Sequence, residues 1–106
     1  MPQAETAPMN LVRAIQYQDG AIVSRTLTKS DAGNVTLFAF AKGQELSEHT
    51  APFDALVHVL DGEAEIRINQ VVYSVEKGEL LIMPANEPHA LRAVESFKML
   101  LTMIKA

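Results

Sequence analysis

Turn-forming residues interrupt this chain at intervals of about ten residues, and a chain cut that often has room for little except short strands. The interruptions fall at Asp19-Gly20, Asp31 to Asn34, Lys42-Gly43, Asp61-Gly62, Asn69-Gln70, Lys77-Gly78 and Pro84 to Pro88. Several of the stretches between them keep the period of two that a half-buried strand requires. In Glu63–Asn69 the apolar set is Ala64, Ile66 and Ile68, and the polar set is Glu63, Glu65, Arg67 and Asn69. Ile22–Leu27 and Val35–Ala41 are rich in β-branched and aromatic residues. The pattern predicts an all-β sandwich or barrel.

Local signals refine this. Asp61-Gly62 lies between the runs Leu56–Leu60 and Glu63–Asn69. Glycine supplies the positive φ of a type I′ turn, so a two-stranded hairpin is expected to close there. Phe97–Ile104 is apolar almost throughout. Leucine and methionine also suit helices, but its neighbours all read as strands, so strand is preferred. Met9–Tyr17 is the best helix candidate: Asn10 can cap it, and Leu11, Ala14 and Ile15 recur at helical spacing. Residues 1–18 accordingly read as a tail or short helix, and residues 19–106 as one barrel.

The 106 residues suit a single domain. A chain of this size buries roughly 65% of its unfolded surface, enough for one core. Cysteine is absent, which excludes disulfides, thiolate metal sites and a cysteine nucleophile. No apolar run approaches the ~20 residues of a membrane helix. The opening MPQAETAPMNLVR has neither a basic leader nor an apolar core, so the cytoplasm is the expected location. The formal charge is −4, and the nine lysines and arginines are scattered, which argues against a nucleic-acid partner. The serines sit in no elbow motif, and no glycine-rich phosphate loop is present.

Two stretches keep a set order of special residues. In the first, Gly43 is followed after five residues by His49, then by Ala51 and Ala55, and Gly62 closes it. In the second, Gly78, Pro84, Asn86, His89 and Ala93 stand in order. In type and interval these positions resemble the paired motifs of the cupin family. Asn86 replaces a glycine and can also take positive φ. The resemblance covers roughly residues 20–104 and is to small single-domain bacterial cupins of the conserved-barrel type. It implies a jelly-roll barrel, or double-stranded β-helix, of two antiparallel sheets. In metal-binding cupins the ligands are two histidines and a glutamate from the first motif and one histidine from the second. Here His49 and His89 hold two of those positions, and Ala51 and Ala55 hold the others.

His49 and His89 are therefore expected to converge inside the barrel, as ligand-binding residues or as a two-imidazole metal site. Catalytic zinc normally keeps three protein ligands, so two imidazoles hold a metal only weakly unless water or another side chain completes the shell. Asp54 is the best carboxylate for that task, and Glu48 a lesser one; each is also a natural solvated loop charge. His58 shares no face with Ala55, Val57 and Val59, because alternate residues of a strand point to opposite sides, and is expected on the outer sheet face. Leu80, Ile82, Met83, Leu91, Leu101 and Met103 can line the pocket or belong to the ordinary core.

The leading expectation is a protein that binds a small molecule in the barrel without a strong catalytic metal. The alternative is a metal-dependent oxygenase or isomerase of a small organic acid or sugar, with iron, manganese, nickel or zinc on His49 and His89. Metal-free acid–base catalysis by a histidine is a third possibility, since imidazole titrates near neutrality. Apolar groups on both faces of some strands (Val71, Val72, Tyr73 and Val75, with Leu56, His58 and Leu60) suggest a homodimer.

Overall fold

The computed structural model describes residues 6–106, and among these every regular element is a strand. The first five residues of the expected tail lie outside the described residues. The strands are β1 (Ile22–Ser30), β2 (Gly33–Phe40), β3 (Glu45–His49), β4 (Phe53–Asp61), β5 (Glu63–Ile68), β6 (Val71–Glu76), β7 (Leu80–Met83), β8 (His89–Arg92) and β9 (Phe97–Lys105). They form a five-stranded sheet in the order β1-β2-β9-β4-β7 and a four-stranded sheet in the order β3-β8-β5-β6. All pairings are antiparallel. The two sheets face one another as a jelly roll. No helix of the described residues is long and apolar enough to cross a membrane.

The expected hairpin at Asp61-Gly62 does not form. β4 and β5 belong to different sheets, and both edges of β4 are taken, by β9 and β7. Gly62, at φ 73°, instead turns the chain through a corner from one sheet to the other. The corner is tight: a Cβ on Gly62 would overlap the Ser96 carbonyl oxygen. The true two-residue hairpin joins β5 to β6, where Ile68 pairs with Val71. Its turn residues Asn69 and Gln70 both have positive φ, 48° and 70°, as a type I′ turn requires.

The core fills the space between the sheets. Val57 and Val59 on β4, Ala64 and Ile66 on β5, Phe40 on β2 and Phe97 on β9 are completely buried there. Phe40 and Phe97 are register partners, and their rings stack with centroids 4.5 Å apart. Such a pair adds about 0.5–1.5 kcal/mol beyond the apolar area it buries. As alternation requires, His58 points outward, half-buried between its lateral partners Leu80 and Leu100.

A second, smaller cluster lies outside the five-stranded sheet. Leu37 and Ala39 are sealed there by Ile15, with Leu11 and Ala14 beside it. The segment carrying these residues is not the expected helix. Asn10 does cap a turn, its Oδ1 accepting from the Arg13 amide at 3.0 Å, but only residues 11–14 turn. A helix would direct the next carbonyls to amides four residues on. Here side chains of the barrel capture them: Lys98 Nζ donates to the Val12 carbonyl (2.6 Å), and Arg25 donates to that of Ala14 (3.1 Å). Tertiary bonds thus outweigh a weak local preference. Lys98 is itself buried, and its ammonium lies 5.0 Å from the Tyr17 ring centroid.

Candidate functional site

His49 ends β3 and His89 begins β8, and the register pairs them directly. Their rings meet edge to face with centroids 4.3 Å apart, and the two Nε2 atoms lie 3.1 Å apart. His89 is buried, only 7% exposed, while His49 is exposed and sits at the mouth. A register shift between Leu46 and His49 lets β3 turn the His49 ring toward its partner. On the second strand Asn86, at φ 65°, supplies the left-handed turn that leads into β8. Its amide donates to the Ala51 carbonyl at 2.8 Å, joining the two motifs.

Both outer ring nitrogens are already committed. His49 Nδ1 lies 2.8 Å from the Ser47 carbonyl, and His89 Nδ1 lies 3.1 Å from the Glu87 carbonyl. A carbonyl only accepts, so each Nδ1 carries the proton. In the neutral pair both Nε2 atoms then present lone pairs to one another. That arrangement calls for an electron acceptor, either a proton or a cation. Burial holds the His89 pKa below its ordinary value; the Glu87 hydrogen bond opposes this, and the neighbouring His49 adds to it.

Behind the rings lies a cavity of about 60 Å³. Ala51 and Ala55 are part of its wall, with Leu46, Phe53 and the methionines Met83, Met99 and Met103. Of the residues expected to line it, Met83, Leu91, Leu101 and Met103 do so. Leu80 and Ile82 do not: each is 55% exposed on the opposite face of β7. Sequence alone does not single out Met99, Leu46 or Phe53. Met99 shares the parity of Leu101 and Met103 on β9, and that parity is the signal that finds it.

Asp54 stands apart from this wall. Its Oδ1 accepts from the Ala85 amide at 2.9 Å, which fastens β4 to the loop after β7. Glu48 lines a separate, charged groove with Arg67 and Arg92. Among the described residues no group of three His, Cys, Asp or Glu is placed to hold a metal. The donors therefore do not fit a hard-metal centre with three or four nitrogen and carboxylate ligands. The two Nε2 atoms alone fit one shared ion: bonds of about 2.0–2.1 Å put two nitrogens about 2.9–3.4 Å apart between right-angled and tetrahedral geometry.

The comparisons agree with this architecture. The chain matches the cupin domain family over residues 36–105. It is 39% identical to a conserved protein of unknown function from Streptococcus pyogenes, with 98% of this chain and 91% of that one covered and a TM-score of 0.92. A cupin superfamily protein from Desulfitobacterium hafniense is 29% identical, with 97% and 94% covered and a TM-score of 0.90. A cupin 2 conserved barrel domain protein from Leptotrichia buccalis is 45% identical, with a TM-score of 0.89; 92% of this chain is covered but 47% of that one. No curated protein matches. Barrel topology, glycine corners and the convergence of His49 with His89 all accord with the family match, and the chain belongs to the cupin domain family.

Proposed function

We propose that this cupin binds a compact ligand of a few heavy atoms, held at its electron-accepting end by His49 and His89. The observation that carries the reading is the pair of Nε2 lone pairs 3.1 Å apart, with both Nδ1 protons committed to carbonyls. The lowered His89 pKa supports it, because that ring keeps its Nε2 lone pair free for a ligand to meet. The size of the cavity supports a small occupant. About 60 Å³ is the share of about two waters, far below the 300–1,000 Å³ or so of pockets for larger ligands. A sugar would have to sit mostly outside, over the exposed His49.

Nitrogen NMR of the chain labelled in its histidine rings, titrated with methylammonium, a compact N–H donor, at fixed pH and ionic strength, tests this. The expected result is a shared shift of the His49 and His89 Nε2 resonances, with His58 unmoved. Unmoved His49 and His89 signals at saturating methylammonium would remove the reading. A metal-dependent enzyme is the second reading. It is favoured by the two Nδ1–carbonyl bonds, which fix the tautomer as they do for metal-bound histidines. Stoichiometric first-row metal in untagged protein, lost with His89→Ala, would put it first.

A homodimer through the outer face of the five-stranded sheet belongs to the same proposal. Register sets Leu80, His58 and Leu100 in one lateral row across β7, β4 and β9, and Ile82, Leu56 and Thr102 in the next. Leu80 and Ile82 are each 55% exposed. A second copy packed there would remove from water an apolar area that single chains seldom leave exposed.

A further inference from the structure

We propose that the free edge of β6 is a self-pairing site, where β6 of a second copy of this chain adds antiparallel with Tyr73 facing the partner's Tyr73 across a two-fold axis. The pairing is independent of the face dimer proposed above and links such dimers edge to edge.

The hydrogen bonds of β6 set this arrangement. The type I′ turn at Asn69 and Gln70 closes on Ile68 and Val71, and the closing pair of a two-residue hairpin exchanges both of its hydrogen bonds. Alternation then turns the N–H and C=O of Val71, Tyr73 and Val75 toward β5, and those of Val72, Ser74 and Glu76 toward the free edge. Glu76 agrees with this parity, and its groups are spent: its amide donates to Glu79 Oε1 at 2.8 Å, and its carbonyl accepts from the Glu79 amide at 2.8 Å. Val72 and Ser74 keep two donors and two acceptors with no backbone partner among the described residues. An antiparallel strand centred on Tyr73 sets Val72 opposite the partner's Ser74, and Ser74 opposite the partner's Val72. Each of those pairs exchanges two hydrogen bonds, so both edges are satisfied at once. Centring on Ser74 would call on the spent groups of Glu76. Centring between Tyr73 and Ser74 would set outward groups against groups already turned to β5.

The side chains fit the same arrangement. Val71, Tyr73 and Val75 share a face with Ile68, Ile66 and Ala64, their partners on β5. Ile66 and Ala64 are completely buried and Val75 nearly so, but Tyr73 is 40% and Val71 52% exposed. The cover over this face ends before its apolar residues do. Pairing lays Tyr73 against the partner's Tyr73 and Val71 against the partner's Val75, so each copy covers what the other leaves open. Glu76, the charged residue of β6, falls at opposite ends of the two strands, and no like-charge pair forms.

The other sheet edges carry devices that discourage such pairing. β1 and β3 have breaks in register, and β7 has four residues. β6 has six residues, an unbroken register and neither proline nor lysine. Two hydrogen-bonded pairs and a strip of side chains cover less than the ~1,200 Å² of a standard interface, so the contact forms at high protein concentration.

The chain has no cysteine, so a single one reports on its own neighbourhood. The test is oxidation of concentrated full-length Tyr73→Cys in a glutathione redox buffer, with Val72→Cys beside it. Across the axis the Cα atoms at position 73 lie about 4.5 Å apart, within disulfide range, while those at position 72 are diagonal neighbours at about 7–8 Å, beyond it. Val72 is the more exposed of the two, so random collision favours linking there. A linked dimer is expected to form about tenfold or more faster for Tyr73→Cys. Adding Ser74→Pro should abolish that excess, because it removes an edge N–H that β5 does not use. Adding Leu80→Glu with Ile82→Glu should preserve it, so failure of the edge and failure of the face dimer are read apart. Equal rates, faster linking at position 72, or an excess that survives the proline or vanishes with the glutamates would overturn the inference. Melting curves accompany each variant, and the two cysteines alone decide the matter if proline unfolds the barrel.

Discussion

The Tyr17 hydroxyl donates to the Asp61 carboxylate across 2.6 Å, and so ties the chain ahead of β1 to the end of β4. The Tyr17 pKa is raised, first by burial, then by that hydrogen bond and by the Asp61 charge. A group held protonated by folding gives stability that is intact below about pH 10, its unfolded value. That stability is lost as the pH climbs toward the folded value. Tyr17→Phe should cost about 1 kcal/mol at neutral pH. Its melting temperature should also fall less steeply than that of the parent above about pH 10. Thermal melts on both sides of that pH check it, and parallel slopes would count against the link.

Acid should act through His89. Its lowered pKa means that the unfolded chain takes up a proton near pH 6.5 while the folded chain still refuses one. Stability then rises with pH across that window and falls as the pH drops from about 6.5 through the folded value. Urea midpoints measured between about pH 7 and about pH 5 should decline for the parent and decline less for His89→Gln. An unchanged slope in the variant would mean that other groups set the acid limit.

Two glycines of similar φ should respond very differently to alanine. Gly20 and Gly62 lie at φ 69° and 73°. A Cβ on Gly20 meets nothing within 4 Å, so Gly20→Ala bears only the left-handed backbone cost, about 1–2 kcal/mol. Gly62→Ala adds an overlap with the Ser96 carbonyl, backbone that cannot swing aside, for about 3 kcal/mol or more. Chemical denaturation of the two variants provides the comparison; equal losses would mean that the corner relaxes freely.

Charge on the outer face should separate the proposed dimer. Leu80→Glu with Ile82→Glu alters two half-exposed side chains and leaves the core untouched. Sedimentation velocity should show the parent as a dimer and the variant as a monomer with a similar melting curve at low protein concentration. A dimeric variant would move the interface elsewhere, with the exposed Val71, Val72 and Tyr73 of β6 as the next face to test.

Much of this architecture is legible in the residues. Strand periodicity finds Ala64 and Ile66 as buried neighbours, and alternation along β4 places His58 outside. The convergence of His49 and His89 is what the resemblance of their two motifs to those of cupins implies, and the register pairs them. What fails is what depends on partners distant in sequence. Asp61-Gly62 carries a hairpin signature, yet β4 has no free edge to offer β5. Met9–Tyr17 carries helical spacing, yet Lys98, far along the chain, takes the Val12 carbonyl. Asp54 sits beside the site in sequence but turns to the Ala85 amide. Local pattern cannot register competition from another strand, and each of these outcomes is such a competition.

The place of β9 in the five-stranded sheet bears on how the protein is made. Of the nine strands among the described residues it is the last in chain order, and so leaves the ribosome after the other eight, yet it lies in the middle, with β2 on one side and β4 on the other. Until it arrives, β1–β2 and β4–β7 are two separate ribbons, and the inner edges they later share are bare. Closure of the sheet therefore waits for nearly all of the barrel to be synthesised. During that interval the nascent chain is most exposed to pairing with a neighbour.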